Sequence, residues 1–361
     1  MNKLYRVMSG LLVSLVLVVV LAACGDNTAT SVPTTAATTA AATTAAATTV
    51  TATTAAATTA AATTAAATTA AATTAAATKT PAPTLIATIG ASSSTAKVSL
   101  KALRLGAIPA ENVQKVLSDT TPFATALSQQ LGIQVELFVG PSYTSVIEAL
   151  AANKLDVAIF GPFSYVLASS KYNAQVFALM LGTKGEKTYN SFIITTPKTG
   201  IKTLADLKGH SFSFVDVASA SGNLVPRYSL ITKAKLDPDK DVNGVFTGSH
   251  DASLLAVQSG KVDAGAVASD IFQKYIDNGT VKAEEIVIVD KSFDIPNSPV
   301  AYRNDLSDTD KAAIKNAFLS IKDTAALNSM GNGGFIEATE SYWDPIRDIA
   351  KVLNVDLTKL K

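Results

Sequence analysis

The chain has 361 residues, with 30 lysines and arginines against 29 aspartates and glutamates and a formal net charge of +1 at pH 7. This balance gives no electrostatic support for nucleic-acid binding, and a single cysteine excludes an intrachain disulfide. Two histidines far apart in the sequence and one cysteine do not make a metal-ligand cluster. We therefore expect no nucleic-acid partner, no metal and no cofactor.

The first 23 residues have the pattern of a secretory signal. Lys3 and Arg6 precede an apolar run at 11–23, which is typical of a signal peptide rather than of a spanning helix. Cys24 follows directly, at a position that resembles the lipobox of bacterial lipoproteins. An incidental cysteine in a signal cleaved elsewhere is the alternative. We expect cleavage before Cys24, lipidation of its thiol and anchoring at the outer face of the bacterial cytoplasmic membrane.

The next segment, 24–96, is mostly alanine and threonine. Thr-Thr-Ala-Ala-Ala recurs at a five-residue period through Thr78, and prolines follow at 81 and 83. The β-branched threonine pairs oppose the helix that alanine favours, and no apolar stripe is available to pack. We expect a disordered tether of about 70 residues with a root-mean-square span of roughly 45 Å.

The folded part is predicted to span 97–361, about 265 residues, which suffices for two lobes. Strands and helices alternate along it, as in α/β proteins. The predicted elements are strand 98–107, helix 122–131, strand 135–139, helix 143–153 and strand 156–160.

Two tyrosines follow predicted strands at matching positions. The strand at 156–160 is almost continuously apolar, as expected of a strand covered on both faces. It ends at Gly161-Pro162, and proline is favoured in the first turn of a helix. Tyr165 therefore falls in a first helical turn at the carboxyl edge of the sheet, where open α/β sheets bind ligands. Tyr143 has the equivalent place after Gly-Pro-Ser.

The segment 211–222 has the pattern of an anion site. A predicted strand at 211–215 leads into Asp-Val-Ala-Ser-Ala-Ser-Gly, and a helical pattern follows. The hydroxyls of Ser219 and Ser221 would lie beside unpaired backbone N–H groups at a helix N-terminus, which favours negative charge. Gly222 allows close approach of a ligand to the backbone.

A second small-residue turn, Thr-Gly-Ser-His-Asp at 247–251, precedes a predicted helix at 252–259. It places His250 in a turn that leads into another predicted helix. We interpret Asp251 as a helix cap, because a carboxylate facing an anion would repel it. The two turns together predict one oxyanion pocket.

Five separated motifs carry a resemblance to a known family. They are Gly-Ala-Ile-Pro at 106–109, Phe-Val-Gly-Pro-Ser-Tyr at 138–143, Leu-Asp-Val-Ala-Ile-Phe-Gly-Pro-Phe-Ser-Tyr at 155–165, the segment 216–226, and Thr-Gly-Ser-His-Asp-Ala-Ser at 247–253. In this order they resemble the phosphate, phosphite and phosphonate substrate-binding proteins of ABC importers, over nearly all of 98–322.

The resemblance implies the type II periplasmic-binding-protein fold, in which two α/β lobes joined by two crossover strands close on a ligand. On that basis lobe 1 would comprise 97–190 and 295–361, and lobe 2 would comprise 191–294. The crossovers would lie near 189–195 and 287–301.

The resemblance also implies the ligand contacts. It assigns them to Tyr143 and Tyr165 in lobe 1 and to Ser219, Ala220, Ser221 and His250 in lobe 2. Ala220 departs from the family's Ser-Thr-Ser turn and removes one hydroxyl donor. Without the resemblance, each of these side chains has a structural interpretation: packing for the tyrosines, N-capping for the serines and a structural role for the histidine.

Asp270 aligns with an acidic position that receives the ammonium of aminoethylphosphonate in some members. The second acidic position falls on Ser298, so a single carboxylate remains. An ammonium in a closed cleft is best held by two charged acceptors, which favours phosphite, phosphate or a small alkylphosphonate. Tyr189, at the first crossover, either contacts the ligand or forms the hinge.

The expected function is capture of a phosphorus oxyanion by a monomeric lipoprotein, and its delivery to an ABC permease with a cytoplasmic ATPase. A sensor that presents its closed form to a signalling receptor is the alternative, as is a receptor for another small anion such as a sulfonate. Ser221, His250 and Asp270 do not indicate a hydrolase, because no Gly-x-Ser-x-Gly elbow is present. The segment 343–345 is assigned to packing.

Overall fold

The computed structural model describes residues 85–90 and 98–359. The predicted signal peptide, Cys24 and the tether up to residue 84 lie outside the described residues.

The described residues form fourteen strands, nine α-helices and several short helical turns. The strands are β1 Leu85–Ile89, β2 Ala102–Ala107, β3 Gln134–Val139, β4 Val157–Ile159, β5 Gln175–Leu181, β6 Thr188–Tyr189, β7 Ser191–Thr195, β8 Ser211–Phe214, β9 Asn243–Phe246, β10 Ala264–Ala268, β11 Val287–Lys291, β12 Ile295–Pro296, β13 Pro299–Tyr302 and β14 Gly334–Glu337.

The helices alternate with these strands. They are α1 Val113–Leu131, α2 Tyr143–Ala151, α3 Pro162–Tyr172, α4 Val225–Ser229, α5 His250–Gln258, α6 Ser269–Asp277, α7 Asp308–Ser320, α8 Thr324–Ser329 and α9 Asp344–Val352. Two π-helical segments, Ala220–Leu224 and Leu230–Ala234, extend α4 at both ends, so the helical path is continuous over 220–234.

The first lobe is built on a seven-stranded sheet with the order β1-β3-β2-β4-β13-β5-β14. Strands β2, β3 and β4 are parallel, whereas β13 runs antiparallel to both β4 and β5. Helices α1, α7 and α8 supply the buried residues of one face, and α2, α3 and α9 supply those of the other. A sheet buried on both faces explains the apolar character of β4, all of whose residues are buried.

The second lobe is built on a five-stranded sheet with the order β11-β7-β10-β8-β9. Strand β10 is buried along its whole length at the centre of this sheet. Helices α5 and α6 cover one face, and the other face packs against Leu204, Leu207 and Leu230.

The chain passes between the lobes twice. It leaves the first sheet after β5 and returns at β13, and the two connections pair as a short antiparallel ribbon of β6 with β12. Tyr189 lies opposite Ile295 in this ribbon. The prediction of an α/β fold with two lobes and two crossovers is confirmed.

The first predicted helix was placed nine residues too late. Helix α1 begins at Val113, and Asn112 is its N-cap, with the side chain accepting a hydrogen bond from the Gln114 N–H. Pro122 lies inside the helix. The prediction began the helix there because proline is favoured in a first helical turn. Strand β2 is also shorter than predicted, because it starts at Ala102 rather than at 98.

The prediction of disorder throughout 24–96 was wrong at its end. Residues Leu85–Ile89 form β1, which pairs antiparallel with β3 in a backbone register that matches Leu85 with Val139 and Ile89 with Val135. The physical reason lies in the composition of this segment. Leu-Ile-Ala-Thr-Ile departs from the alanine and threonine repeat, and β-branched apolar residues suit a strand.

Candidate functional site

The site begins where β8 ends and the helical path 220–234 starts. Ser219 is the N-cap, and its hydroxyl accepts a hydrogen bond from the Gly222 N–H at 3.0 Å. A Cβ on Gly222 would lie 2.3 Å from the Val215 Cβ, so only glycine fits there. The first N–H groups of a helix have no carbonyl partner within it, and with the helix dipole they attract an anion.

Ser221 is the centre of the hydroxyl network. Its Oγ lies 3.2 Å from the Tyr189 hydroxyl, which comes from the first crossover. The same Oγ lies 3.5 Å from His250 Nε2, the outer limit of a hydrogen bond. The Ser191 hydroxyl donates to the Ser221 carbonyl at 2.6 Å and so fixes the backbone of the turn. Ser221 is 1% exposed, so these contacts form in a nearly dry environment.

His250 is oriented as a neutral donor. Its Nδ1 accepts the Ala268 backbone N–H at 3.1 Å, and because that backbone group can only donate, the ring proton resides on Nε2. Burial lowers the pKa of His250 to about 4, although the nearby Asp251 carboxylate opposes this shift. At neutral pH the Nε2–H therefore points toward Ser221 without a positive charge.

Tyr143 brings the first lobe to the site. It is the first residue of α2 and is 2% exposed. Its backbone N–H donates to Asp216 Oδ2 of the second lobe at 3.3 Å. Burial raises the pKa of the Tyr143 hydroxyl well above its ordinary value, Asp216 and Tyr189 add to the rise, and a hydrogen bond with Ser219 opposes it. The phenol is therefore a neutral donor that faces the second lobe.

Asp270 lies in the first turn of α6 and faces the same space. Its side chain is accessible, yet enough protein surrounds it that desolvation raises its pKa. Its charge also raises the pKa of Tyr143 and that of Tyr189. Asp270 is therefore the one carboxylate of the predicted set whose charge acts on both Tyr143 and Tyr189.

The N-termini of three helical segments meet around Ser221, because Tyr143, Ala220 and His250 each begin one of these segments. These residues, with Tyr189 and Ser219, are the group around Ser221. The donors that the structure brings together are neutral hydroxyls, a neutral imidazole and backbone N–H groups. Such a set suits a small oxyanion, since helix dipoles supply positive potential without a fixed cation. Among residues 85–90 and 98–359 no group of three or more histidine, cysteine, aspartate or glutamate residues is arranged to hold a metal ion.

Tyr165 does not join the group. Its ring packs edge-on against Trp343 with centroids 5.2 Å apart, and the Arg347 guanidinium lies 6.0 Å from the ring centre. Burial raises the pKa of Tyr165 to about 12, with smaller effects from Glu340, Arg347 and Ser169. These neighbours belong to α3 and to the C-terminal part of the chain, so Tyr165 packs in the interior of the first lobe, contrary to its predicted ligand contact.

Two other predicted residues have positions of their own. Ser298 follows the second crossover, and its carbonyl accepts the Met180 N–H at 2.9 Å; the described hydrogen bonds do not link its side chain to the group. Asp251 is not the N-cap of α5, because Ser249 has that position. The Asp251 carboxylate instead accepts the Asn112 N–H of the first lobe at 3.2 Å.

The sequence analysis gave no role to Asp216, which the structure places between the lobes. Its carboxylate accepts the Ala218 N–H at 2.8 Å, in addition to the Tyr143 N–H. The only sequence signal for this role was an aspartate directly after a buried strand, at the start of a small-residue turn.

The buried imidazole makes the free energy of unfolding depend on pH. Because the pKa of His250 falls from 6.5 to about 4 on folding, the unfolded chain binds this proton more readily. The resulting stability is complete above pH 6.5 and is lost as the pH falls from 6.5 toward 4. Between pH 7 and pH 5 we expect His250 to account for a loss of about 2 kcal/mol.

Urea unfolding at the two pH values measures this effect. His250→Asn should remove that part of the pH dependence, whereas the same change at His210, whose side chain is 37% exposed, should retain it. An unchanged pH slope in His250→Asn would contradict the assignment.

Comparison with known proteins places this architecture in a defined class, the substrate-binding proteins of ABC transporters. Residues 105–343 match the family described as ABC transporter, phosphonate, periplasmic substrate-binding protein. The chain belongs to this family, whose members bind a substrate and are not enzymes.

Individual relatives agree with this assignment. The chain is 30% identical over 267 residues to the phosphonates-binding periplasmic protein of Escherichia coli, covering 72% of this chain and 79% of the relative. It is 28% identical to the phosphate-import protein PhnD of Mycolicibacterium smegmatis, covering 74% and 90%. The structure of PhnD1 from Prochlorococcus marinus in complex with methylphosphonate superposes with a TM-score of 0.64 at 25% identity, covering 71% and 99%.

Proposed function

We propose that the group around Ser221 captures a phosphorus oxyanion between the lobes and that the closed form delivers it to an ABC permease driven by a cytoplasmic ATPase. The observation that carries this proposal is the meeting of three helix N-termini with the Tyr189, Ser221 and His250 donors. The proposed ligand residues are Tyr143, Tyr189, Ser219, Ala220, Ser221, His250 and Asp270. Ala220 contributes its backbone N–H only.

Of the two acidic positions that hold an ammonium group in some family members, only Asp270 carries a carboxylate here, which favours phosphite, phosphate or a small alkylphosphonate as the ligand. Asp270 is an acceptor for a hydrogen bond from a protonated ligand oxygen, and sulfate, which is fully ionised at neutral pH, lacks that proton. Ser298 stands where a second acceptor would be needed to hold an alkylammonium group. The names of the relatives, which refer to phosphonates, phosphate and methylphosphonate, support this range of ligands.

The anchoring proposal follows from the N-terminal sequence. A lipid on Cys24 would hold the protein at the outer face of the membrane, and the alanine and threonine segment would allow the lobes to reach the permease. Among the described residues, no helix combines the length and apolarity that a membrane span requires. We propose that the protein works as a monomer, with strand β1, 97–190 and 295–361 as one lobe and 191–294 as the other.

Tyrosine substitutions separate cleft contact from packing. Tyr189→Phe removes the hydroxyl that lies 3.2 Å from Ser221 Oγ, so we expect phosphite affinity to fall roughly fivefold to tenfold. Tyr165→Phe is its matched control. Because the Tyr165 hydroxyl lies among Ser169, Arg347 and Glu340, its removal should leave the dissociation constant within about twofold. A larger loss of affinity in Tyr165→Phe than in Tyr189→Phe, measured by calorimetry, would indicate that Tyr165 contacts the ligand.

Uptake by whole cells tests the delivery step. Deletion of the gene should abolish uptake of the phosphorus oxyanion at low concentration, and the wild-type chain should restore it. His250→Ala should not restore uptake. Normal uptake in the deletion strain, together with loss of a transcriptional response to the anion, would instead indicate a sensor.

A further inference from the structure

Lys274 of α6 forms ion pairs between the lobes, four residues after Asp270 on the same helix. The charges of Lys274 and Glu111 also act on the Asp270 carboxylate, with opposite effects on its pKa. Its Nζ lies 2.7 Å from Glu111 Oε2 and 3.1 Å from Asp119 Oδ2. Helix α6 packs on the second sheet, whereas Glu111 precedes α1 and Asp119 lies within it. The side chains are 33%, 10% and 21% exposed respectively, so the pairs are partly shielded from water and screening salt.

The same segment of the first lobe holds the start of α5. The Ala110 carbonyl accepts the His250 backbone N–H at 2.9 Å, and the Asn112 N–H donates to the Asp251 carboxylate. Glu111 lies between these two contacts. The position of His250 relative to the first lobe therefore depends on a segment that Lys274 also holds.

The electrostatics favour the charged pairs in this arrangement. Burial lowers the pKa of Lys274, but hydrogen bonding and charge from Glu111 and Asp119 outweigh it, and the net shift is upward. Opening of the lobes would separate the ammonium from both carboxylates. Contacts that form only when the lobes meet raise the fraction of molecules in the closed conformation. Because the closed conformation is the one that holds the ligand, ligand affinity rises with this fraction.

We propose that Lys274 is a positioning residue for ligand binding, holding the lobes together through Glu111 and Asp119 so that His250 and Tyr143 stay on opposite sides of the ligand. This proposal rests on the proposed function, since it assumes that the ligand is captured between the lobes. Lys274 acts through the lobe arrangement and does not touch the ligand.

Dissociation of phosphite, measured by stopped flow, tests the proposal. We expect Lys274→Met to release phosphite about tenfold faster than the wild type, with little change in the association rate. Lys233→Met is the matched control, because Lys233 forms an ion pair of 2.7 Å with Asp290 inside the second lobe; its release rate should stay within about twofold of the wild type. Equal release rates in the two variants would overturn the proposal.

Two further variants distinguish loss of the interlobe ion pairs of Lys274 from a folding defect. Lys274→Arg retains the charge and should return the release rate to near the wild-type value. Glu111→Gln should speed release alone but add less than about twofold in the Lys274→Met background, because the two residues act through one contact. Additive effects would overturn the proposal.

A second readout applies where the wild type binds none of phosphite, phosphate and methylphosphonate, an outcome that counts against the proposed function; where it binds one of the other two, that anion replaces phosphite in the release measurement. Where none of the three anions binds, small-angle scattering of the ligand-free proteins decides. A larger radius of gyration in Lys274→Met than in both the wild type and Lys233→Met would support the proposal that Lys274 holds the lobes together. Equal values in all three proteins would overturn it.

Discussion

Ser221→Ala and His250→Ala are each expected to weaken phosphite binding at least tenfold, which corresponds to about 1.4 kcal/mol or more. Each side chain is at most 4% exposed, so a lost donor cannot be replaced freely by bulk water. The Ser221 hydroxyl also links Tyr189 to His250. Its loss should therefore loosen both neighbours.

Ser253→Ala provides the matched control. Ser253 is also fully buried in the second lobe, and its hydroxyl bonds the Ser213 hydroxyl at 2.7 Å and the Ala266 carbonyl at 2.8 Å. Its removal should reduce stability while leaving phosphite affinity near that of the wild type. Titration calorimetry of the three variants measures the difference. Near-normal affinity in both Ser221→Ala and His250→Ala would show that neither Ser221 nor His250 contributes to ligand binding.

Trp343→Ala is expected to lower the free energy of unfolding by about 3–5 kcal/mol. Trp343 is fully buried, packs edge-on against Tyr165, and donates its indole N–H to the Asn297 carbonyl at 3.0 Å. It therefore joins the C-terminal part of the chain to the segment that follows the second crossover. The substitution would leave a large cavity and an unpaired carbonyl.

Val352→Ala, on the adjacent helix α9, serves as its control because Val352 is 60% exposed. A surface substitution of this kind should change the free energy of unfolding by no more than about 0.5 kcal/mol. Urea unfolding followed by circular dichroism reports both values. A loss below about 1 kcal/mol in Trp343→Ala would contradict the role of this side chain as a core residue.

The local parts of the site were predictable from the sequence. Hydroxyls at a glycine-containing turn and a histidine directly before a predicted helix are signals contained in a few consecutive residues. The structure accordingly places Ser219, Ser221 and His250 at helix N-termini. The N-cap role of Ser219 was foreseen, and it is compatible with anion binding because the N–H groups of the first turn still face outward.

Tyr165 and Tyr189 show where local reasoning fails. Tyr165 lies in the first turn of helix α3, and a residue there points toward the sheet interior or toward its edge, depending on one step of about 100° around the helix axis. Tyr165 points inward, to Trp343, which is 178 positions later in the sequence. Tyr189 reaches Ser221 because the two crossovers pair beside the cleft.

Contacts between the lobes were invisible in the sequence for the same reason. Lys274 and Glu111 are 163 positions apart, and no periodicity connects them. Strand β1 was missed because five residues at the end of a low-complexity tract carry little pattern, although the edge of β3 supplies a partner that completes the strand.

We propose that the cleft between the lobes selects a phosphorus oxyanion. Titration calorimetry of the secreted chain carrying Cys24→Ser, against phosphite, phosphate, methylphosphonate, aminoethylphosphonate and sulfate, tests it most directly. We expect tight binding of at least one of the first three, weaker binding of aminoethylphosphonate and no binding of sulfate. Heat from sulfate alone, or from none of the five anions, would contradict it.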